Sequence, residues 1–292
     1  MYGERMAWHR ASLLFFTLPL ALALASCDDE SPDTQPIEVR FAAVVDGAPA
    51  ACGTVYDDVG GGGHGLELAD LRFFVSNLRL IDDDGREVPI TLDQDGKFQH
   101  DDVALLDFED GSASCNEVGN PETNDRVIGT APDGTYTGLR FTLGVPFEQN
   151  HQNVALAPPP LNLSAMFWGW QSGYKFMRIE GHVDPGTADD KGWLFHLGST
   201  GCDGDAMGNV TACASPNRAE VELTGFDPSA DGVVFDVGAL LAGIDLGTNA
   251  PDTPEGCMSG VTDADCAGYF ANLGLPFGEA TGGTQRAFSV SE

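Results

Sequence analysis

The run ADLRFFVSNLRLI, Ala69 to Ile81, stops at the acidic turn DDDG, Asp82 to Gly85. Leucine, phenylalanine, valine and isoleucine dominate it, with neither proline nor glycine inside. A run of β-formers bounded by a turn reads as a strand. Similar runs lie on both sides. Before it, IEVRFAAVV alternates apolar and polar positions through Ile37, Val39 and Phe41, which gives a sheet one apolar face. After it come EVPITL and a second acidic turn, DQDG, then TYTGLRFTLGV, MFWGW, YKFMRIEGHV, GWLFHLGS, RAEVELTGF and GVVFDV. Short strands separated by Gly, Asp and Pro clusters predict an all-β fold, an antiparallel sandwich-like single domain. GALLAGI and ADCAGYFANLG are short helix candidates. No internal repeat is visible.

The chain has 292 residues, 14 basic and 45 acidic side chains and a formal net charge of -31. Nucleic-acid binding needs a basic footprint that displaces counterions, so this balance excludes it. It fits a soluble surface, one attractive to cations or to a basic partner. A hydrophobic fraction of 42% is that of a globular protein rather than a disordered one.

At the N-terminus Arg5, His9 and Arg10 supply positive charge, and Ala11 to Ala25 carries none. Such a segment is short for a membrane span and fits an export signal. It ends in LASC, Leu24 to Cys27. Small residues before a cysteine resemble a bacterial lipobox, in which Cys27 becomes the lipidated first residue. The expected organisation is a lipoprotein signal peptide over residues 1–26, a polar tether over 27–36 and a β domain over 37–292. The implied localisation is an exported, lipid-anchored protein of the periplasm, outer membrane or cell surface. An ordinary secretory signal with a chance cysteine is the plainer alternative.

Six further cysteines remain: Cys52, Cys115, Cys202, Cys213, Cys257 and Cys266. An even number in an exported chain predicts disulfides. Loop-closure entropy favours near neighbours, so Cys202–Cys213 and Cys257–Cys266 are expected, leaving Cys52–Cys115. Zinc is the alternative, weakened by the lack of any CxxC.

Catalytic motifs are scarce. There is no GxSxG, P-loop, dinucleotide fingerprint or CxxCH haem site. The two Asp-Gly turns resemble calcium loops, but neither continues with EF-hand spacing; hairpin turns fit better, with a structural calcium as the lesser reading. Soft-metal chemistry has more material. Beyond the leader lie His64, His100, His151, His182 and His196, with Met166, Met177 and Met258. Strand alternation would put Met166, Trp168 and Trp170 on one face. Thioether and imidazole donors suit Cu(I). Packing of Met against aromatic rings in a core is the plainer explanation.

Several stretches together resemble the MbnP family, copper-associated partners of di-haem enzymes of the cytochrome c peroxidase and MauG group. They are DLRFFVSNLRL, DVALLDFEDG, LGVPFEQNH, LNLSAMFWGWQSGYKFMRIEG, FHLGSTGC, CASPNR and GCMSGVTDADC, ending at Cys266. The resemblance implies a non-enzymatic copper-binding protein with a role in copper homeostasis. It also implies that Trp168, first of the WxW pair, is oxidised to kynurenine by the di-haem partner, and that one Cu(I) binds nearby through histidine and methionine. His196 and Met166 rank first as ligands, then His151 and Met258, with Trp168 in the metal environment. Two other readings compete: a metal-free structural or ligand-binding β-sandwich lipoprotein, and a secreted hydrolase using paired carboxylates. No carboxylate pair is nominated for the latter.

The lipobox yields the first prediction. Mature protein is expected to partition into detergent with acyl chains on Cys27, because several chains give stable attachment. Phase partitioning and mass spectrometry of Cys27→Ser check it; unchanged partitioning of that variant would refute the anchor.

Overall fold

The computed structural model describes residues 1–3, 33–116, 119–204 and 209–291. Two units divide the chain, Met1–Pro32 and Asp33–Glu292. The expected signal peptide, Cys27 and most of the tether lie outside the described residues, and everything below concerns the second unit.

With 46% strand and 9% helix, the chain is all-β and sandwich-like. One sheet runs in the order Phe288–Val290, Gly232–Asp236, Thr34–Val45, Arg126–Pro132 and Thr91–Leu92. Its strand Thr34–Val45 starts inside the stretch read as tether. The larger sheet runs Ala219–Thr224, Tyr136–Leu143, His64–Asp82, Gly173–Val183, Lys191–Gly198 and Gly256–Cys257. Pairing along it is antiparallel except at the last strand. The run that opened the sequence reading is the middle of the central strand, His64–Asp82.

The sheets meet through phenylalanines. Phe73 of the larger sheet lies 6.2 Å from Phe41, 5.2 Å from Phe235 and 5.8 Å from Phe288, ring centre to ring centre. Phe141, also of the larger sheet, lies 5.8 Å from Phe41. All five rings are buried. Leu71 and Phe73 pair across the sheet with Ile179 and Met177, which pair in turn with Phe195 and Leu197. Residues directly opposite share a face, so these six line the apolar inner face.

Both short helices appear, as Val237–Leu241 and Cys266–Asn272. The second docks on the Lys191–Gly198 strand: the Tyr269 ring stacks on Phe195 at 4.8 Å, and Trp193 Nε1 donates to Tyr269 Oη at 2.9 Å. All three expected disulfides are formed, Cys52–Cys115, Cys202–Cys213 and Cys257–Cys266.

Two local expectations need correction. DDDG closes a hairpin between the central strand and Glu87–Pro89, but DQDG does not. It joins Thr91–Leu92 to Gln99–His100, which belong to different sheets. There Asp95 Oδ1 accepts from the backbone N–H groups of Lys97, Phe98 and Gln99, each at 2.8 Å, so the carboxylate shapes the turn. MFWGW is not one alternating strand. Ser164–Met166 is a 3₁₀ turn, only Phe167–Gly169 is strand, and Trp170 belongs to the turn beyond. Met166, Trp168 and Trp170 therefore do not form one strand face.

Phe73→Ala should lower stability by about 3–5 kcal/mol, the usual cost of deleting a packed phenyl ring. Arg40→Ala, whose side chain is 66% exposed, should change it by less than about 0.5 kcal/mol. Chemical denaturation of both variants checks the contrast.

Candidate metal centre

Part of the outer face of the larger sheet is charged and buried, around Asp70 and Arg72. Asp107 pairs with Arg72, Arg72 with Arg178, and Arg178 with His196, so one row of side chains crosses four strands. The next row holds Asp70 opposite Glu180. Arg72 hydrogen-bonds Asp70 through Nε at 2.8 Å and again through Nη2. Its Nη1 makes no hydrogen bond but faces Glu109 Oε1 at 3.4 Å. Arg178 Nε lies 3.1 Å from Asp70 Oδ2, and Arg178 grips Glu180 with Nε and Nη2, both at 2.8 Å. Glu180 Oε1 lies 2.7 Å from His196 Nε2. Opposite charges thus alternate from Glu109 through Arg72, Asp70 and Arg178 to Glu180, which meets the His196 ring.

Electrostatics follow from burial and pairing. Burial pushes the Asp107 carboxyl up to about 7, against the pull of Arg72. Burial would raise Glu180 too, but hydrogen bonds from His196 and Arg178 hold it well below the usual carboxylate range. Burial lowers the His196 pKa despite its bond to Glu180, and the nearby Lys175 adds to the lowering. Lys175 itself is brought down to about 8 by burial and by Arg178. In its neutral form, which burial favours, the His196 imidazole has one protonated and one bare ring nitrogen. With Glu180 ionised, Nε2 carries the proton and donates it, leaving the lone pair on Nδ1. That Nδ1 is buried and has no hydrogen-bond partner among the described residues.

A second unpartnered nitrogen lies close by. The Trp168 ring is 6.2 Å from the His196 ring, and its Nε1 is likewise buried without a partner. Two features place this indole. Phe167 pairs with Tyr174 and Gly169 with Gly173, so Trp168 is the extra residue of a β-bulge, a device that re-aims side chains. Its ring also lies over Gly198, where a Cβ would sit 2.5 Å from Trp168 Cζ3. The chain leading into Trp168 is held as well: Lys175 Nζ and Arg178 Nη1 donate to the Ala165 carbonyl at 2.9 and 3.2 Å.

The remaining candidates divide. Met166 follows Ala165 directly and is fully buried in the apolar core. Met258 is half-buried between Cys257, which pairs with Phe195, and Ser259, whose Oγ donates to the His196 carbonyl at 2.8 Å. His151 faces a different neighbourhood. Its Nδ1 meets the Trp170 carbonyl at 3.2 Å, and its Nε2 lies 3.2 Å from Asn150 Nδ2 and 3.5 Å from Cys213 Sγ. Trp170 is 46% exposed. Sequence reasoning missed Glu180, Lys175 and Gly198. A signal for the first was present: DLR and RIE place opposite charges two residues apart inside apolar strands, where they share a face.

The MbnP family model matches residues 34–259. Among solved structures, MbnP from Methylosinus trichosporium is 36% identical, with a TM-score of 0.77 over 89% of this chain and 99% of that one. No curated protein matches the chain.

Gly198→Ala tests the geometry of the site. The added methyl would collide with the Trp168 ring and with the Tyr174 carbonyl, 2.8 Å away. The variant should show an altered near-ultraviolet tryptophan signal and lower stability. Gly192→Ala, on the same strand with open space around its Cβ position, should leave the tryptophan signal unchanged.

Proposed function

The chain belongs to the MbnP family, and on that premise we propose that it is an exported, lipid-anchored protein that binds one Cu(I) at His196 beside Trp168. The family is a non-enzymatic accessory one, and the chain is not an enzyme. One observation carries the metal reading: the buried ring nitrogen His196 Nδ1 has no hydrogen-bond partner among the described residues. An unpaired buried acceptor costs about 1–3 kcal/mol, and a bound metal ion removes that cost. Glu180 completes the pattern of a metal-ligating histidine whose other ring nitrogen is held by a carboxylate.

Trp168 Nε1 is a donor only and offers a metal no lone pair. Oxidation of Trp168 to kynurenine by a di-haem enzyme of the cytochrome c peroxidase and MauG group opens that ring and exposes a ketone and an aryl amine. The modification places new polar groups beside the His196 lone pair. Bound there, copper supplies soft Lewis acidity and redox capacity. This chain's own residues do the rest: Glu180 orients the imidazole, Lys175 and Arg178 fix the entry to the tryptophan, and Gly198 makes room for it. Met166, two residues before Trp168, and Met258, next to Cys257 opposite Phe195, are the candidate thioethers. The role is in copper homeostasis, and Cys27 is the anchoring residue. The full burial of Met166 favours a second reading for that residue alone, as core.

Co-expression tests the reading. Protein made with the di-haem partner should carry the kynurenine mass at Trp168 and retain Cu(I); protein made alone should keep the indole and bind copper poorly. Trp168→Phe and His196→Ala should lose retention, and Trp170→Phe should spare more of it. Glu180→Gln should weaken affinity on the order of 10–100-fold, the usual effect of removing a ligand's supporting carboxylate. Cu(I) binding by the unmodified protein and by Trp168→Phe as tight as by the co-expressed form would overturn the kynurenine dependence and return the aromatic run to core packing.

A further inference from the structure

Away from His196, the hairpin made by Thr200–Gly204 and Val210–Ser215 carries the Cys202–Cys213 disulfide between directly opposed residues. His151, Cys202 and Cys213 offer one nitrogen and two sulfurs within 4.8 Å of one another. While the sulfurs are bonded to each other they supply no thiolate, and a thiolate is what binds a soft metal. We propose that this disulfide is a redox gate: reduced, it becomes a second soft-metal site built from His151, Cys202 and Cys213, selective for Cu(I).

Three observations support the assignment. First, the histidine is in the right tautomer. The Trp170 carbonyl can only accept, so His151 Nδ1 carries the proton, and the Nε2 lone pair faces Asn150 Nδ2 and the Cys213 sulfur at 3.5 Å. Second, the scaffold does not depend on the bridge alone. The two strands share a backbone ladder from Thr200 opposite Ser215 to Gly204 opposite Val210. Gln171 Nε2 donates to the Cys202 carbonyl at 2.9 Å, and the Trp170 ring lies over Gly204. Cys202 and Cys213 oppose each other with their Cα atoms 3.7 Å apart, so with the bond broken both sulfurs reach one metal ion by side-chain rotation. Third, the gate is reachable. Cys213 is half-buried, and the hairpin contacts solvent on both sides of it at Ala212 and Ala214. Cys257 and Cys266, in contrast, are both 0% exposed.

The chemistry balances with a dithiol as reductant. Its thiolate attacks a sulfur of the bridge and forms a mixed disulfide. Its second thiol then closes on the first. The Cys202–Cys213 bond breaks, two electrons and two protons pass to the cysteines, and the dithiol leaves as its cyclic disulfide. Cu(I) then displaces the two thiol protons and takes the His151 Nε2 lone pair. Thiolate and imidazole donors together favour Cu(I) over harder cations.

The experiment uses the full chain, oxidised or reduced with dithiothreitol and desalted without oxygen, titrated with Cu(I) against a colorimetric chelator. Alkylation mapping establishes that Cys202 and Cys213 are free after reduction. Reduced protein should take up one more equivalent than oxidised protein and show a thiolate-to-Cu(I) ultraviolet band. His151→Ala and the double variant Cys202→Ser/Cys213→Ser should lose that increment; Cys52→Ser/Cys115→Ser should keep it. His196→Ala should also keep it, so failure here and failure at His196 are told apart. If the cysteine double variant does not fold, His151→Ala carries the test with every sulfur in place. No increment with both thiols free, or an increment that survives His151→Ala, overturns the proposal.

Discussion

Arg178 is shared between two carboxylates, and much of the outer sheet face depends on that sharing. Asp70 and Glu180 lie in one row; Arg72, Arg178 and His196 lie in the next. Asp70 and Arg72 are 0% exposed. Charges taken this far from water are tolerated only when each has its counter-charge and its hydrogen bonds. Removing one member of such a pair typically costs 3–5 kcal/mol, because the other is left buried and uncompensated. The chain from Glu109 to Glu180 therefore holds together as a unit, and His196 is its last member. What is fixed at that end is an imidazole whose tautomer is set by a carboxylate that two cationic or donor partners keep ionised.

The same logic separates His196 from His151. Each histidine has one ring nitrogen engaged by an acceptor, a carboxylate for His196 and a backbone carbonyl for His151. Each consequently presents the opposite lone pair. For His196 that nitrogen is buried and without a hydrogen-bond partner among the described residues, as is the indole N–H of the neighbouring Trp168. For His151 it is met by Asn150 and faces a sulfur that is already bonded. The His196 nitrogen is unpaired in the protein as folded, whereas the sulfur that His151 faces is held in a disulfide.

Much of the fold was legible in the sequence because β-strands with one apolar face declare themselves by alternation. IEVRFAAVV and RAEVELTGF became strands with apolar residues turned inward. Two of the disulfides were legible because short loops close at low entropic cost, and the third, whose cysteines lie 63 residues apart, was the pair left over. Val103–Asp107 was missed: it is buried along its whole length and shows no alternation. The aromatic run was misjudged for a different reason. Alternation holds only where the backbone is regular, and a 3₁₀ turn and a bulge interrupt it on either side of Phe167. Glu180 could not be tied to His196 by spacing, since the contact crosses from one strand to the next. The candidate site was therefore legible as a list of residue types, and illegible as a geometry.

That geometry also accounts for two tryptophans separated by a single glycine. Trp168 and Trp170 each lie over a glycine of the chain that leaves the sheet, Gly198 at the end of one strand and Gly204 in the hairpin beyond it. In both places a side chain as small as a methyl would collide with the ring, at 2.5 and 2.6 Å. The pair spans the point where the sheet hands over to the disulfide hairpin. The first indole reaches the charged row at His196, and the second covers the hairpin while its carbonyl orients His151. Gly169 between them has open space where its Cβ would be. Its role lies in the backbone, where it pairs with Gly173 across the bulge and lets successive tryptophans reach different neighbours. The motif thus lies between two histidine environments, with the first tryptophan against His196 and the second against His151.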